Sequence, residues 1–128
     1  MSAFRVSRRG VLTSIGNSPV PDGQTAPCWV EITHDGKYLF AVNTGSGNLS
    51  RYAIQPDGSL LLLGTTQFTD GLGAVDARLA PDGRTLSVTG GRGLVVSSFA
   101  VHDGDLTELS SSPTPLPAGT SPTGIVGL

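Results

Sequence analysis

One phrase of the sequence occurs twice at a fixed spacing. HDGKYLFAVNTGSGNLSRYAI, residues 34–54, returns as PDGRTLSVTGGRGLVVSSFAV, residues 81–101, which starts 47 residues later. A fixed period of roughly 20–50 residues is the signature of a repeat architecture, in which each unit packs on the next. The spacing therefore constrains the fold more strongly than any local pattern in the chain.

A third, partial copy opens the chain. Phe4 and Val6 match Phe99 and Val101 at an offset of 95 residues, which is about two periods. By this alignment, the beginning of the chain corresponds to the last two strands of a unit. The two arginines at positions 8–9 then lie in the link between those strands.

Each complete copy contains four short runs rich in Val, Ile, Thr, Tyr and Phe, which favour β-strands. Asp-Gly pairs and Gly-rich stretches separate the runs and predict hairpin turns, since Gly accepts a positive φ without steric cost. No window has sustained helical periodicity, so we predict no helix. The predicted strands are 29–33, 38–43, 49–54 and 60–66 in the first copy, and 75–80, 85–89, 94–101 and 106–110 in the second.

Four antiparallel strands per unit of about 47 residues is the period of a β-propeller blade. We predict an all-β chain that forms an incomplete propeller of about 2.5–3 blades. Residues 1–26 are predicted to form two outer strands of a partial blade plus a linker. Residues 27–73 and 74–121 are each predicted to form a complete blade, and residues 122–128 are predicted to form a closing inner strand.

The blade count raises the question of what completes the ring. Propellers close with about four to eight blades, and seven blades of this period need about 330 residues. A lone chain of this kind exposes a blade face and an unpaired strand edge. We therefore expect missing blades, placed upstream of Met1, or self-association of the chain.

Composition excludes several classes of partner and site. The net charge is −2, which gives no basic field for nucleic acid, and no apolar run is long enough to span a membrane. Cys28 is the single cysteine, so no internal disulfide or thiolate cluster can form. No histidine stands at strand spacing from a carboxylate or a second histidine. We therefore predict no metal site and no cofactor.

A short stretch near the start is similar to an export signal. SRRGVL, residues 7–12, has twin arginines, but the polar, proline-broken segment TSIGNSPVPDGQ follows it instead of an apolar region. The repeat alignment accounts for the same residues as a turn between strands. We therefore expect no signal peptide in this chain, and a cytoplasmic location is favoured.

Residues 26–60, APCWVEITHDGKYLFAVNTGSGNLSRYAIQPDGSL, resemble a blade of the seven-bladed lactonase family. That family includes propeller-type 6-phosphogluconolactonase and carboxy-muconate cyclase. The resemblance rests on the Pro-led inner strand, the His-Asp-Gly-Lys turn, the Val-Asn strand end and the Tyr-Ala-Ile strand before a second Asp-Gly turn. The ending GTSPTGIVGL, residues 119–128, resembles the close of such propellers. YVTN-type surface-repeat propellers have similar blades.

The resemblance implies hydrolysis of a sugar lactone, such as a 6-phosphogluconolactone-like compound, or action on a muconolactone-type substrate. The expected partner is thus a small-molecule lactone. The alternatives are a non-catalytic propeller that serves as a binding or surface-repeat module, and a fragment without activity of its own. We expect little catalysis from one chain, because most groups that would line the channel are missing.

Charged and aromatic side chains on the predicted inner strands are the candidate site residues. Glu31 and Arg78 occupy equivalent positions in adjacent copies, and side chains two residues apart share a strand face. A carboxylate can move a proton or orient water, and a guanidinium can hold an anion or a developing oxyanion. We predict Glu31 and Arg78 as catalytic residues, with Trp29 and Asp76 as substrate-binding residues.

Structural roles for the same four residues are the alternative. Glu31 and Arg78 can form an ion pair between blades, since buried charges are usually paired. Trp29 can fill space between blades, and Asp76 can bind the backbone of a turn. The sequence leaves both sets of roles open.

Overall fold

The computed structural model describes residues 1–16, 18–69 and 73–127. The described residues form eleven strands and no helix, so the prediction of an all-β fold is confirmed. None of them belongs to a helix suited to crossing a bilayer. The strands are β1 Phe4–Val6, β2 Leu12–Ser14, β3 Pro27–Ile32, β4 Tyr38–Asn43, β5 Asn48–Ile54, β6 Leu60–Gln67, β7 Ala74–Leu79, β8 Thr85–Gly90, β9 Val95–His102, β10 Asp105–Glu108 and β11 Thr114–Pro115.

The strands form three antiparallel sheets. β3, β4, β5 and β6 pair in chain order and are called the first sheet here, and β7, β8, β9 and β10 pair in chain order as the second sheet. β1 pairs with β2 as a separate ribbon. The two complete sheets are the predicted propeller blades, and the ribbon corresponds to the outer half of a third.

The two sheets repeat an irregularity as well as a topology. The ladder between β3 and β4 shifts register between Pro27 and Trp29, and the ladder between β7 and β8 shifts between Ala74 and Asp76. These positions are one repeat period apart. A bulge at the start of each inner strand bends that strand where it enters the sheet. The repeat thus specifies the backbone geometry and not only the strand order.

The strand β11 was not predicted from the sequence. It pairs with residues 95–96 of β9, while β10 pairs with residues 99–102 of the same strand. Two short strands therefore share the outer edge of β9. β11 is only two residues long and contains Pro115, so it lacks the apolar alternation by which a strand is recognised.

The main core lies between the first and second sheets. Phe40 and Val42 of the first sheet and Ala77, Leu79 and Leu86 of the second belong to one buried cluster. The buried residues of one strand are two positions apart, because successive side chains of a strand point to opposite faces of the sheet. The sheets are therefore stacked face to face, as the blade interpretation requires.

The last described segment differs from the predicted closing strand. Residues 121–127 form no strand, although the backbone N–H of Ile125 donates to Oδ2 of Asp76 at 2.8 Å. The segment therefore lies beside β7 without joining its ladder. The boundaries proposed for the blades stay predictions, and residue 128 and the Asp-Gly pair at 70–71 lie outside the described residues.

Turn residues of the second sheet contact strand residues of the first. A Cβ atom on Gly104 would lie 2.5 Å from Cδ1 of Tyr38, and the φ of Gly104 is +83°. The guanidinium of Arg51 also forms an ion pair with Asp105, the first residue of β10 after this turn. Gly36 has a similar φ of +71° but open space around its Cβ position. Gly104 is therefore required for both conformation and close packing, and Gly36 for conformation alone.

We expect Gly36→Ala to lower the free energy of unfolding by about 1 kcal/mol, the strain of a left-handed conformation. Gly104→Ala should cost about 2–4 kcal/mol, since a clash with a packed ring adds to the same strain. Urea unfolding of both variants measures the difference. In a Tyr38→Ala background the two glycine substitutions should cost the same, and equal costs in the unmodified chain would contradict the contact.

Candidate active site

The structure brings the two predicted catalytic residues together. Glu31 lies on β3 and Arg78 on β7, and Nη1 of Arg78 is 3.9 Å from Oε1 of Glu31. The Glu31 side chain is 14% exposed, while the Arg78 side chain is 55% exposed. The carboxylate is thus sheltered between two strands, and the guanidinium faces solvent beside it.

Glu31 has a second partner that the sequence did not indicate. Its Oε1 accepts the backbone N–H of Leu79 at 3.1 Å. The neighbouring Ala80 N–H donates to Thr85 on β8, and donors alternate in direction along an antiparallel strand. The Leu79 N–H therefore points away from its own sheet, and Glu31 satisfies it from the adjacent sheet.

We expect the hydrogen bond to Leu79 to contribute more to stability than the ion pair does. The 3.9 Å separation of Arg78 and Glu31 is long, and half of the Arg78 side chain is in water. Exposed ion pairs typically contribute about 0–1 kcal/mol. In contrast, a buried backbone donor that loses its acceptor costs about 1–3 kcal/mol.

Asp76 is buried and bonded to backbone groups. Its Oδ1 accepts the N–H of Ala77 and its Oδ2 accepts the N–H of Ile125, both at 2.8 Å. The residue is only 8% exposed. These bonds correspond to the structural alternative considered for Asp76, and its role in substrate binding stays a prediction.

Glu31 on β3 and Asp76 on β7 therefore have the same kind of hydrogen bond. Each extends a carboxylate from an inner strand to a backbone N–H of a later segment of the chain, at Leu79 and at Ile125. A strand at the end of a sheet has N–H groups without a ladder partner, and a carboxylate is a strong acceptor for them. This pattern could not be predicted from the sequence, because every residue except proline has a backbone N–H and the residue type does not show which one is bonded.

Trp29 lies beside an open cavity. It is 45% exposed and is the single tryptophan of the chain. The cavity measures about 510 Å³. Its lining residues are Met1, Ser2, Pro27, Cys28, Trp29 and Val30. The predicted role of Trp29 in substrate binding stays a prediction.

A second cavity lies between hairpin turns of the two sheets. It measures about 240 Å³ and is lined in part by His34, Asp35, Tyr38, Asp82 and Asp103. Within the described residues, no three His, Cys, Asp or Glu side chains converge in a manner that would hold a metal ion.

A buried polar network on the first sheet was missed by the sequence analysis. The Nδ2 of Asn43 donates to Oδ1 of Asn48 and to Oγ of Ser50, both at 2.8 Å. The network continues to the linker, where Asn48 donates to Gln24 at 2.7 Å and Ser50 to Asp22 at 3.3 Å. It ties residues 22–24 to the sheet.

The two repeats differ in sequence at the positions of this network. That difference is the sequence signal from which the network could have been predicted. The positions of Asn43 and Asn48 are taken by Gly90 and Val95 in the second copy. Both asparagines are nearly or fully buried. A polar pair that replaces small or apolar residues in an otherwise similar unit indicates a local hydrogen-bonding requirement.

Tyr52 lies in the same region and is fully buried. Its hydroxyl has no hydrogen-bond partner of good geometry among the described residues. Burial raises the pKa of Tyr52 to about 12, and the negative charge of Asp22 adds to the effect. The corresponding residue of the second copy is Phe99, which has no hydroxyl and packs edge-on against Phe68.

Comparison with known families decides which propeller this is. The model of the family described as "Lactonase, 7-bladed beta-propeller" matches residues 1–80. The chain belongs to this lactonase family. The match covers the ribbon, the first sheet and β7, and it confirms the resemblance seen in the repeated motifs.

Solved structures share the fold of this lactonase-family chain. A candidate 6-phosphogluconolactonase of Bacteroides fragilis superimposes with a TM-score of 0.81 at 20% identity, over 96% of this chain and 34% of its own. A candidate 6-phosphogluconolactonase of Bacteroides uniformis gives 0.74 at 19% identity, over 91% and 37%. The periplasmic gluconolactonase of Pseudomonas aeruginosa gives 0.74 at 24% identity, over 94% and 37%.

The lactonase-family chain spans about a third of the length of these structures. At these identities, the superpositions establish the shared fold. No curated protein sequence matches the chain.

The hydrogen bond between Glu31 and Leu79 can be separated from the ion pair by substitution. Glu31→Gln keeps an oxygen acceptor and should lower the free energy of unfolding by less than about 1 kcal/mol. Glu31→Ala leaves the Leu79 N–H without its acceptor and should cost about 1–3 kcal/mol. Chemical denaturation measures both. Arg78→Gln should match Glu31→Gln, and equal losses in the Gln and Ala variants would assign the effect to charge.

Tyr52 should make stability fall in strong alkali. Its pKa rises from 10.0 to about 12 in the folded chain, so the unfolded chain releases this proton first. The stabilisation is therefore complete below pH 10 and is lost as the pH rises through about 12. The ultraviolet absorbance of phenolate and the unfolding midpoint measure the change. Tyr52→Phe should lack this loss, and superimposable pH profiles would contradict the assignment.

Proposed function

We propose that this chain supplies part of the channel of a propeller lactonase, with Arg78 and Glu31 at the reacting centre. The substrate is a sugar lactone such as 6-phosphogluconolactone, with a muconolactone-type compound as the chemical alternative. Family membership supports the reaction class, and the names of two similar structures include 6-phosphogluconolactonase. The observation that carries the residue assignment is the exposed Arg78 guanidinium beside the sheltered Glu31 carboxylate.

The proposed reaction is hydrolysis of the lactone ring. A water oxygen attacks the ring carbonyl carbon, and Glu31 accepts a proton from that water as the carbon–oxygen bond forms. The carbonyl oxygen becomes an oxyanion, which the N–H groups of Arg78 stabilise. The ring carbon–oxygen bond then breaks, and the proton passes to the ring oxygen to give a hydroxy acid.

Arg78 also suits binding of a charged substrate. A guanidinium presents several N–H donors in one plane and binds phosphate or carboxylate with two parallel hydrogen bonds. The Arg78 side chain is 55% exposed, so its donors remain accessible to a ligand in the channel. Trp29, two residues from Glu31 on β3, offers an apolar face for the sugar ring.

The rest of the channel is required for catalysis under this proposal. Stabilisation of an oxyanion depends on groups that are fixed around it before the reaction starts. One chain contributes two complete sheets and a ribbon. We therefore assign appreciable activity to the completed ring and weak ligand binding to the chain alone.

A non-catalytic binding module is the second candidate function, with a fragment lacking its own activity as its limiting case. The observation in its favour is that Glu31 and Asp76 both accept backbone N–H groups of neighbouring segments. This structural role explains the positions of the two carboxylates without a role in catalysis. Under this alternative, Arg78 binds an anion and no bond is broken.

Ligand binding by the chain tests the role of Arg78 without requiring turnover. The stable reaction product 6-phosphogluconate should change the fluorescence of Trp29, the single tryptophan. Arg78→Ala should weaken this binding about tenfold or more, since a hydrogen bond to a charged group contributes about 1.5–3 kcal/mol. Arg84→Ala, at another exposed arginine, is the matched control and should bind as the unmodified chain does.

Lactone hydrolysis separates the two functions. The chain, Glu31→Gln and Arg78→Ala are compared with the spontaneous rate of 6-phosphogluconolactone opening. Any acceleration should fall in both variants, while Arg84→Ala retains it. Equal acceleration above the spontaneous rate in all variants would exclude the two residues as catalytic. Binding that depends on Arg78, without acceleration by a completed ring, would favour the binding module.

A further inference from the structure

Asp-Gly pairs recur along the chain, and they are chemically reactive as well as turn-forming. The described residues include the five pairs that begin at Asp22, Asp35, Asp57, Asp82 and Asp103, while the pair at 70–71 lies outside them. An aspartate before glycine rearranges most readily, because glycine has no side chain to keep its nitrogen from the aspartate carboxyl group. The following residue is glycine in every pair, so the local structure decides which pair reacts.

The rearrangement needs a carboxyl group that can move and a peptide that can rotate. The glycine nitrogen attacks Cγ of the neutral aspartate side chain, and the carboxyl hydroxyl leaves as water with the N–H proton. The product is a five-membered succinimide ring. Water then opens the ring at either carbonyl and gives back aspartate or forms isoaspartate, in which the main chain runs through Cβ. Hydrogen bonds that fix the carboxylate or the glycine N–H therefore slow the reaction.

The carboxylate of Asp103 is less restrained than the other four. Each of the others accepts a backbone N–H two residues later, which is a common feature of aspartate in turns. These bonds join Asp22 to Gln24, Asp35 to Lys37, Asp57 to Ser59 and Asp82 to Arg84, at 2.9–3.1 Å. Within the described part of the chain, Asp103 makes a single side-chain contact, to His102 at 3.5 Å, and its side chain is 82% exposed.

The glycine nitrogen of the same pair is also free. In three of the other turns the glycine N–H donates to a backbone carbonyl at 2.8 Å, from Gly36 to Thr33, from Gly58 to Gln55 and from Gly83 to Ala80. Among the described residues, the N–H of Gly104 donates to no backbone carbonyl. The N–H of Gly23 is similar, but Asp22 is held by Ser50 at 3.3 Å as well as by the backbone.

Two further properties separate Asp103 from the others. Among the five aspartates, it alone has a positive φ, of +46°, which is unfavourable for a residue with a Cβ atom. Opening of the turn relieves that strain. In contrast, hydrogen bonds from Thr33 and from Ser59 lower the pKa of Asp35 and of Asp57, respectively, which reduces the neutral form that loses water.

We propose that Asp103 is a site of spontaneous isoaspartate formation and that it reacts faster than the other four described aspartates of Asp-Gly pairs. The free carboxylate, the free glycine N–H and the left-handed backbone occur together only at this pair among those described. Water is the one co-reactant. The inference does not depend on lactonase activity.

The modification would act on a contact between the two sheets. A Cβ atom on Gly104 would lie 2.5 Å from Cδ1 of Tyr38, and Asp105 forms an ion pair with Arg51. Isoaspartate at position 103 adds one carbon atom to the main chain directly before Gly104. The added atom displaces Gly104 and Asp105 from their partners on the first sheet. The modified chain should therefore unfold at a lower urea concentration than the unmodified chain.

Peptide mapping of the full chain after prolonged incubation at neutral pH tests the site. Electron-transfer fragmentation distinguishes isoaspartate from aspartate at each position. Isoaspartate should form at Asp103 about tenfold or more faster than at the other four, since each hydrogen bond that they must break contributes a factor of about 2–10. In concentrated urea the five rates should be similar, because the folded turns are lost.

The outcome is decided without any variant that has to fold. Absence of isoaspartate at residue 103, a rate there no higher than at the other four, or a preference for Asp103 that persists in urea would each overturn the proposal.

Urea unfolding of fresh and incubated chains tests the effect on the sheet contact. The unmodified chain should acquire a second population of lower midpoint, in proportion to its isoaspartate at residue 103. Asp103→Glu keeps the charge but places the carboxyl carbon one bond further away, so its own midpoint should not change on incubation. Asp82→Glu is the matched control and should change as the unmodified chain does. An unchanged midpoint in chains that contain isoaspartate at residue 103 would overturn this effect.

Discussion

The structure depends on the burial of one sheet face against the next. Phe40 and Val42 are fully buried where the first sheet meets the second. Full burial of a side chain of this kind contributes about 1.5–3 kcal/mol, and neither sheet could gain it alone. The position of Arg78 beside Glu31 follows from this stacking, because Glu31 belongs to the first sheet and Arg78 to the second. The stacked pair is thus the structural unit of the chain.

The inner strands place structural and chemical requirements on the same residues. Each inner strand, β3 or β7, lies at one edge of its sheet, so alternate backbone N–H groups have no ladder partner. Glu31 accepts the N–H of Leu79, and Asp76 accepts the N–H of Ile125. A carboxylate used in this way is also held in place by its hydrogen bond, which is the property a reacting group needs. Structural and catalytic roles are therefore compatible at Glu31, whereas both oxygens of Asp76 are already occupied.

The two repeats have the same strand order but differ in the side chains that are buried at equivalent positions. Tyr52 and Asn48 in the first sheet correspond to Phe99 and Val95 in the second. The first sheet is bound to a polar linker through hydrogen bonds to Asp22 and other residues, whereas the second is covered by apolar packing of Phe68. The same fold position thus holds a buried polar network in one sheet and an aromatic cluster in the other.

The all-β class, the strand order and nearly all strand positions could be predicted from the residues, because apolar alternation and Asp-Gly turns are local and recur every 47 residues. The repeat spacing also placed Glu31 and Arg78 at equivalent positions of adjacent units. The folded chain was needed to show that Glu31 bonds the Leu79 backbone, that Asp76 is buried, and that β11 joins β9. These contacts involve backbone groups that are distant in the chain. Because nearly every residue has a backbone N–H, the residue type does not indicate the partner of that group.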